Sequence, residues 1–291
     1  MDAPRQQSTG ERAPAPPALD AAALAAAAAL PLDCVEVVES IGSTNRELMG
    51  RPAGVAVATG RPSCFVLLAG SQVAGRGRRG RTWVSDPADS LTFSVAIDHR
   101  RSAATPALVG LSLSLGVAVA QAASGFASGI GLKWPNDLLR DGRKCAGMLI
   151  ETRSSGDLER IVVGLGVNLR LPDEIARSID QPACALFEPG AAVPRREELA
   201  GRFARALIDA TMGFLERGFA DTASAWARFD VLAGREVSIL EEGRPVLVGR
   251  ADGLDPTGAL RVLTANGMVA VAVGDVSARL GDLTRRGDAA P

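Results

Sequence analysis

Apolar and alternating runs divide much of this chain into predicted strands. Val35–Val38 and Phe65–Ala69 are short apolar runs that predict buried strands, whereas Ser90–Ile97 alternates polar and apolar residues, as a half-buried antiparallel strand does. Ile161–Leu169 is another apolar run, and its two glycines predict a strand whose backbone a neighbouring group approaches closely. Together these runs predict several strands of the main domain.

Apolar positions that recur every three or four residues predict helices against these strands. The helix that starts at Thr105 carries many apolar residues, so we expect it to be buried against the sheet, whereas residues 195–217 predict an amphipathic helix. The alanine-rich stretch 18–32 is expected to form a shorter helix after a proline-rich, disordered tail over residues 1–17. The longer predicted helices run from Thr105 to about Ala123, over residues 195–217, and from Phe219 to about Phe229.

The stretch Gly131–Asp137 is expected to end a central strand, because Pro135 lacks an N–H and restricts the residue before it. Its polar side chains should therefore cluster at that strand end. The Asp-Gly pair at 141–142 predicts a two-residue hairpin turn, which places Lys144 at the start of the next strand. Gly147, inside that strand, indicates a bulge or a close backbone approach.

The pattern changes to short alternating strands after Gly234. These strands, separated by turn residues, predict a small antiparallel barrel. We therefore divide the chain into a tail with a short helix (1–33), a main domain (34–232) and a barrel (233–285). The predicted barrel strands are Val237–Leu240, Val246–Ala251, Leu260–Leu263 and Val269–Val273, with turns at Glu242-Gly243, Asp255–Gly258 and Asn266-Gly267.

Small polar residues mark the start of a helix after the first strand. Thr44 and Glu47 have the spacing of a capping box, in which the threonine oxygen accepts a backbone N–H and the glutamate reaches back. The alternative is that Ser43-Thr44-Asn45, at a helix N-terminus, binds a polar group of a ligand. Local sequence leaves both interpretations open.

The segment Gly75–Arg81 holds four arginines and three glycines in seven residues. Glycine lets the backbone approach a ligand, and arginine donates to phosphate or carboxylate oxygens, so this loop is expected to bind an anion. The glycines also match the dinucleotide pattern G-x-G-x-x-G, but no helical pattern follows the third glycine. An arginine-rich RNA-binding segment is the other alternative, although such segments are usually repeated and this one stands between apolar strands.

Composition limits these alternatives. With Lys+Arg 32 against Asp+Glu 33 in 291 residues, the chain is no polycation, and anion binding must be local. The 47% of hydrophobic residues suffices for a globular core. The single histidine, His99, is expected in a surface loop, which argues against histidine-based catalysis. Four cysteines without C-x-x-C spacing and the lack of a long apolar run predict a cytoplasmic protein with free thiols, no zinc and no membrane span.

Five segments, in this order and followed by a small barrel, resemble the biotin–protein ligases. The resemblance runs from about Val37 to the C-terminus. It implies an α+β fold with a mixed, largely antiparallel sheet packed with helices, as in the catalytic domains of class II aminoacyl-tRNA synthetases and biotin ligases, and a C-terminal SH3-like β-barrel. The segments are Ser43-Thr44-Asn45, Gln72 with Gly75–Arg81 and Trp83, Lys133–Asp137, Arg143–Gly147, and Gly164–Asn168.

The resemblance also implies a reaction and its site. Biotin and Mg·ATP would give biotinyl-5′-adenylate and pyrophosphate, and a carrier lysine would then attack the adenylate. Lys144, Arg78 and Arg76 would be catalytic, Asp137 would lie near the acceptor lysine or Mg²⁺, and no metal ligand is assigned. Biotin would be bound by Ser43, Thr44, Asn45, Gln72, Gly75, Arg76, Gly77, Arg78, Lys144 and Gly147, and the nucleotide by Arg78, Arg79, Arg81, Trp83, Lys133, Asn136 and Asn168.

The implied partner is a biotin carboxyl carrier domain of acetyl-CoA carboxylase or a related carboxylase. We expect a monomer or weak homodimer that is mobile at the Gly75–Arg81 loop when empty. A ligase without a DNA-binding domain is expected, because the N-terminal segment is too short for one. Gly70 stands where the family often has an acidic residue, so the pocket wall differs there. A lipoate or octanoyl–protein ligase and a non-enzymatic nucleic-acid-binding protein remain the alternatives.

Overall fold

The computed structural model describes residues 18–53, 62–84, 86–179, 182–241, 244–272 and 276–280, without the side chains of Arg79, Ser178 and residues 276–280. The tail expected over residues 1–17 and the turn expected at Glu242-Gly243 lie outside the described residues. Within them, no helix has the length and apolar character that a membrane crossing requires.

The central sheet of the described part consists of β1 (Val35–Ile41), β2 (Ser63–Gln72), β3 (Ser90–Arg100), β4 (Ile130–Lys133), β5 (Asp137–Arg140), β6 (Arg143–Ser155) and β7 (Leu158–Asn168). Their spatial order is β1-β2-β3-β7-β6-β5-β4. Only β1 and β2 are parallel, so the mixed, largely antiparallel sheet expected from the sequence is confirmed. The predicted Asp-Gly hairpin joins β5 to β6, with positive φ at both turn residues.

The described helices are α1 (Ala21–Ala28), α2 (Thr44–Gly50), α3 (Leu111–Ser124), α4 (Asp173–Ser178), α5 (Arg196–Arg217) and α6 (Thr222–Ala227). Successive strand residues point to opposite faces of the sheet, and both faces are covered. On one face Leu67, Ala96 and Val162 pack with Leu48 of α2. Their sequence neighbours on the strands point the other way, into the main core with α1, α3 and α5.

Strand β3 is buried at every residue but Arg100, whereas its alternating pattern predicted a half-buried strand. The prediction was wrong because β3 lies between β2 and β7, and its polar residues, such as Ser94, find hydrogen-bond partners under α2. His99 is likewise part of β3 and not of a surface loop. It is 5% exposed, and its Nε2 lies 3.1 Å from Oε2 of Glu159 on β7.

Helix α3 begins at Leu111, later than the Thr105 start expected from the sequence. Gly110 precedes the helix with a φ of 83°, a left-handed conformation that favours glycine. A Cβ at this position would lie 2.5 Å from the ring of Phe219. The chain therefore turns at Gly110, and the helix starts only after that turn.

Strand β4, which ends at Lys133, lies at the edge of the sheet and not at its centre as expected. Its backbone is nevertheless paired on both sides. Leu132 N–H donates to Phe229 O at 2.7 Å, and Val231 N–H donates to Leu132 O at 3.0 Å. The segment after α6 thus covers this edge, which is why the strand has the apolar sequence of a buried one.

The C-terminal strands are β8 (Glu236–Glu241), β9 (Arg244–Leu254), β10 (Leu260–Thr264), β11 (Gly267–Val271) and β12 (Val276–Leu280), in the order β11-β10-β9-β8-β12. All neighbouring pairs are antiparallel, as expected, but β12 was not predicted. The small antiparallel sheet is consistent with the expected SH3-like domain, and among the described residues no ladder joins β11 to β12. Its buried residues, such as Ile239 and Leu260, belong to the main core.

A glycine-to-alanine pair in α5 tests the packing of α1 on this helix. A Cβ on Gly201 would lie 2.4 Å from Cβ of Ala27, so we expect Gly201→Ala to lower the free energy of unfolding by about 2 kcal/mol. In the matched control Gly213→Ala, the new Cβ meets only the end of the exposed Arg217 side chain. That control should stabilise the helix by about 0.5–1 kcal/mol. Urea unfolding checks both, and equal effects would contradict the packing.

Candidate functional site

One cleft, with a cavity volume of about 470 Å³, gathers nearly all of the predicted site residues. Gly75 is an exception, because it does not line the cleft and is buried, with its carbonyl accepting from Trp83 N–H. The side chain of Arg79 is outside the described part of the chain. The predicted residues that line the cleft are Ser43, Thr44, Asn45, Gln72, Arg76, Gly77, Arg78, Arg81, Trp83, Lys133, Asn136, Asp137, Lys144, Gly147 and Asn168.

The N-terminus of α2 forms one end of the cleft. Ser43, and not Thr44, is the N-cap residue, and its Oγ accepts a weak hydrogen bond from Arg46 N–H at 3.5 Å. The predicted capping box was therefore wrong, because Thr44 is already inside the helix. Thr44 instead donates from both its N–H (2.8 Å) and its hydroxyl (3.1 Å) to Oε1 of Gln72. This pair joins α2 to the end of β2.

Asn45 is held by the protein at both ends of its amide. Its Oδ1 accepts from Oγ of Ser94 at 2.6 Å, and its Nδ2 donates to Leu149 O at 3.2 Å and to Oε2 of Glu151 at 3.0 Å. The side chain lies directly over Gly164, where a Cβ would be 2.2 Å from Asn45 Oδ1. The close backbone approach predicted at this glycine is thus made by Asn45.

The Gly75–Arg81 loop folds back on itself as a small hairpin. Gly77 N–H donates to Arg81 O at 2.8 Å, and Trp83 N–H donates to Gly75 O at 3.0 Å. A single 3₁₀ turn, and not a helix, spans Arg78–Gly80. The helix that a dinucleotide site requires is therefore absent after the third glycine, in agreement with the sequence prediction.

Two arginines attach this hairpin to the floor of the cleft. Arg76 Nη1 lies 3.0 Å from Oε1 of Glu151, and Arg78 Nη1 donates to Oδ1 of Asn136 at 2.9 Å. Asn136 in turn donates from Nδ2 to Met148 O at 2.9 Å, so its amide orientation is determined. The hairpin thus lies over strand β6.

The indole of Trp83 lies against the second glycine of β7. A Cβ on Gly166 would be 2.3 Å from Cε2 of Trp83, and a Cβ on Gly147 would be 3.4 Å from Cζ3. The indole Nε1 is buried and has no hydrogen-bond partner among the described residues. Glycines in β6 and β7 therefore provide the flat surface on which this aromatic ring rests.

Asp137 lies between two lysines. Its Oδ1 is 2.6 Å from Nζ of Lys144, and its Oδ2 is 3.2 Å from Nζ of Lys133. The Lys144 backbone is paired with the segment after α4 through Pro182 O and Cys184 N–H. Burial raises the pKa of the Asp137 carboxyl, but Lys144 and Lys133 outweigh burial, so this pKa lies below its ordinary value of 3.8.

Sequence reasoning missed several residues that shape this site. Ser94 and Glu151 were read only as strand positions, because neither belongs to a recognisable motif. Asn168 lines the cleft, but its Nδ2 donates to Cys184 O at 3.2 Å, which indicates a structural contact. Apolar walls come from Phe93, Met148, Leu149, Leu165, Ile179 and Ala183. Their hydrophobicity predicted burial, and no sequence signal separates a core residue from a cleft wall.

Two family descriptions match this chain: "Biotin/lipoate A/B protein ligase family" over residues 58–168 and "Biotin protein ligase C terminal domain" over residues 233–279. The bifunctional ligase/repressor BirA of Escherichia coli is 33% identical over 237 residues, which cover 81% of this chain and 70% of that protein. The biotin--[acetyl-CoA-carboxylase] ligase of Mycobacterium tuberculosis is 32% identical over 249 residues, 83% of this chain and 88% of that protein.

A solved structure shows a similar fold. It is the biotin protein ligase from Aquifex aeolicus in complex with biotin and ATP, which is similar to this chain with a TM-score of 0.69 and 27% sequence identity. The similarity covers 85% of this chain and 99% of the Aquifex chain.

The carboxylate between the two lysines has a testable effect on stability. Because the folded-state pKa of Asp137 is lowered, its stabilising contribution is present above the unfolded-state pKa and is lost as the pH falls through the folded-state pKa. We expect Asp137→Asn to cost about 2 kcal/mol at pH 7 and progressively less below about pH 4. Urea unfolding at pH 7, 5 and 3.5 measures this.

The control is Asp157→Asn, which removes an exposed carboxylate paired with Arg100. It should change the free energy of unfolding by no more than about 0.5 kcal/mol at any of these pH values. A cost of Asp137→Asn that stays constant or grows as the pH falls would contradict the assignment.

Proposed function

Since this chain belongs to the biotin protein ligase family, we infer that it is an ATP-dependent ligase that attaches biotin to a carboxylase. We propose that the cleft described above is its active site. The observation that supports this most is the convergence of Arg76, Arg78, Lys133 and Lys144 on one cavity in a chain of net charge −1. Such a cavity suits substrates that carry a carboxylate and phosphates.

The first step joins two anions. An oxygen of the biotin carboxylate attacks the α-phosphorus of ATP, the bond to the β-phosphate oxygen breaks, and pyrophosphate leaves with its electron pair. We propose that Lys144 and Arg78 donate to the carboxylate and α-phosphate oxygens and stabilise the charge that develops there. Lys144 must then exchange its contact with Asp137 for the ligand.

The second step transfers the acyl group to the carrier. The neutral amine of a carrier lysine attacks the carbonyl carbon of biotinyl-5′-adenylate, and AMP leaves as the amide bond forms. The amine releases a proton to solvent in this step, and AMP leaves with the electron pair of the broken anhydride bond, so no protein nucleophile is required. We propose that Asp137 lies near the incoming amine.

At the biotin end we propose that Ser43, Thr44 and Gln72 contact the ligand. Because Oε1 of Gln72 accepts both bonds from Thr44, the Gln72 amide is oriented, and its Nε2 has no partner among the described residues. That donor is available for a polar atom of biotin. Asn45 differs, because its polar atoms already have protein partners, so we propose that it shapes the pocket without binding biotin directly.

At the nucleotide end we propose that Trp83, Lys133 and Asn136 lie beside ATP, with Arg79 and Arg81 at its phosphates. Mg²⁺ is proposed as the counterion of ATP. The described residues contain no group of three or more side chains suited to hold a metal, and both Asp137 oxygens already contact lysines. The ion would therefore be held mainly by the substrate phosphates, as is usual for Mg²⁺.

Several features of the assembly remain predictions. The three-part division at residues 33 and 232, the monomer or weak homodimer and the biotin carboxyl carrier domain as acceptor belong to this proposal. Absence of DNA binding is also predicted, and the net charge of −1 supports it. Tight, steeply salt-dependent binding of oligonucleotides would contradict this. The four free cysteines support a cytoplasmic location.

Mass spectrometry of the adenylate tests the reaction. Purified protein with biotin, ATP and Mg²⁺ should form biotinyl-5′-adenylate and pyrophosphate, and excess EDTA should prevent this. Lipoate in place of biotin should give at most a trace of lipoyl-adenylate. We expect this because residues 233–279 match the description of the biotin protein ligase C-terminal domain. Lipoyl-adenylate without biotinyl-adenylate would contradict the proposed function.

Substitution of the two proposed donors tests their roles. Lys144→Ala and Arg78→Ala should each lower the rate of adenylate formation by about 100-fold, because each removes a positive group from the developing charge. Pyrophosphate release measures the rate, and circular dichroism should show an unchanged fold. The control is Arg153→Ala, which removes an exposed arginine of β6 whose side chain donates to the Arg51 carbonyl, outside the cleft lining. A wild-type rate in either test variant would remove that residue from the mechanism.

A further inference from the structure

Glu151, on β6, connects two parts of the cleft that are far apart in the sequence. Its Oε1 lies 3.0 Å from Nη1 of Arg76 in the Gly75–Arg81 loop, and its Oε2 accepts from Nδ2 of Asn45 at 3.0 Å. The carboxylate is mostly buried, with 24% of the side chain exposed. Each carboxylate oxygen thus contacts a different element: Oε1 contacts the Gly75–Arg81 loop, and Oε2 contacts the N-terminus of α2.

The contact with Asn45 gives Glu151 a rigid anchor. The orientation of the Asn45 amide is determined, because Ser94 donates to its Oδ1 and Leu149 O accepts from its Nδ2. A flip of the amide would break both hydrogen bonds. Gly164 supports it from below, with no room for a side chain. The position of the Glu151 carboxylate is therefore determined by a network of buried hydrogen bonds, and not by the exposed loop.

The contact with Arg76 places the loop relative to that anchor. Arg76 is 41% exposed, so the ion pair by itself contributes little to the stability of the fold. The ion pair with Glu151 does, however, fix the position of Arg76 in the hairpin. Because Arg76 is bridged to Thr82, the opposite strand of the hairpin is positioned with it. Two residues further on, Arg78 makes the second attachment through Asn136.

We propose that Glu151 is a positioning residue that holds the Gly75–Arg81 loop in register with the biotin end of the cleft, and so keeps the acyl-adenylate enclosed. Glu151 itself is not among the residues that line the cleft. This role rests on the proposed function, because it concerns the retention of the adenylate that the enzyme forms. A loop that is attached at Arg76 excludes water and slows escape of the intermediate, whereas a detached loop opens more often.

Glu151→Gln separates the two contacts. Asn45 Nδ2 is a donor, so the new amide oxygen must face it, and the amide NH₂ then faces the guanidinium of Arg76. The anchor is kept and the attachment to the loop is lost. We expect the dissociation rate of biotinyl-5′-adenylate to rise by about 3- to 10-fold, while the Kd of biotin and the melting temperature stay close to those of the wild type.

Dissociation is measured with synthetic biotinyl-5′-adenylate, bound to the protein and then chased with excess biotin, so that no catalytic step is involved. Arg76→Ala should raise the dissociation rate at least as much, because Arg76 also lines the cleft, and the double variant should be no faster than Arg76→Ala, because Glu151 acts on the loop through Arg76. The matched control is Glu36→Gln, which breaks a glutamate–arginine pair with Arg51 away from the cleft and should leave the rate unchanged.

Wild-type retention of the adenylate by Glu151→Gln would overturn the proposal, as would single-variant effects that multiply in the double variant. A lower melting temperature without faster dissociation would also overturn it, since that result indicates a structural role alone. If Glu151→Gln does not fold, Glu151→Asp is measured instead, because its shorter side chain cannot contact both Asn45 and Arg76, and it should also raise the dissociation rate. Failure of the wild type to form biotinyl-adenylate from biotin and ATP would contradict the proposed function itself, and not the role of Glu151.

Discussion

Positive side chains converge in this cleft because acidic and amide oxygens lie between them. Lys144 and Lys133 both contact the Asp137 carboxylate, and without it two partly buried ammonium groups would repel each other. Arg78 rests on an amide oxygen in the same way. These contacts leave the four cations on one cavity, with acidic and amide oxygens as their protein partners.

The glycines of the central sheet make a second constraint. Strands β6 and β7 pair along the whole length of the cleft floor, and side chains at Gly164 and Gly166 would collide with Asn45 and Trp83. The floor is therefore bare backbone, on which groups from α2 and from the arginine loop can rest. Rigid strands in this way position parts of the site that come from a helix and a loop.

Local signals in the sequence were sufficient for much of the fold. The apolar runs, the Asp-Gly turn and the amphipathic pattern of α5 each reflect forces that act over a few residues. The errors arose where tertiary contacts overrode the local pattern. Thr44 has the spacing of a cap, yet its hydroxyl is bonded to Gln72 on β2. Likewise β3 alternates as a surface strand does, yet α2 covers its polar face.

The sequence by itself determined which chemical groups are available, since the arginine loop and the lysines with Asp137 stand in short, recognisable segments. It also determined the strands on which they lie, because periodicity is a local property. The tertiary structure alone decided which groups meet. Glu151 is 75 residues from Arg76 and 106 from Asn45, so their contact depends on the register of the sheet and the path of the hairpin. No local pattern carries that information, because such contacts arise only when distant segments pack against one another.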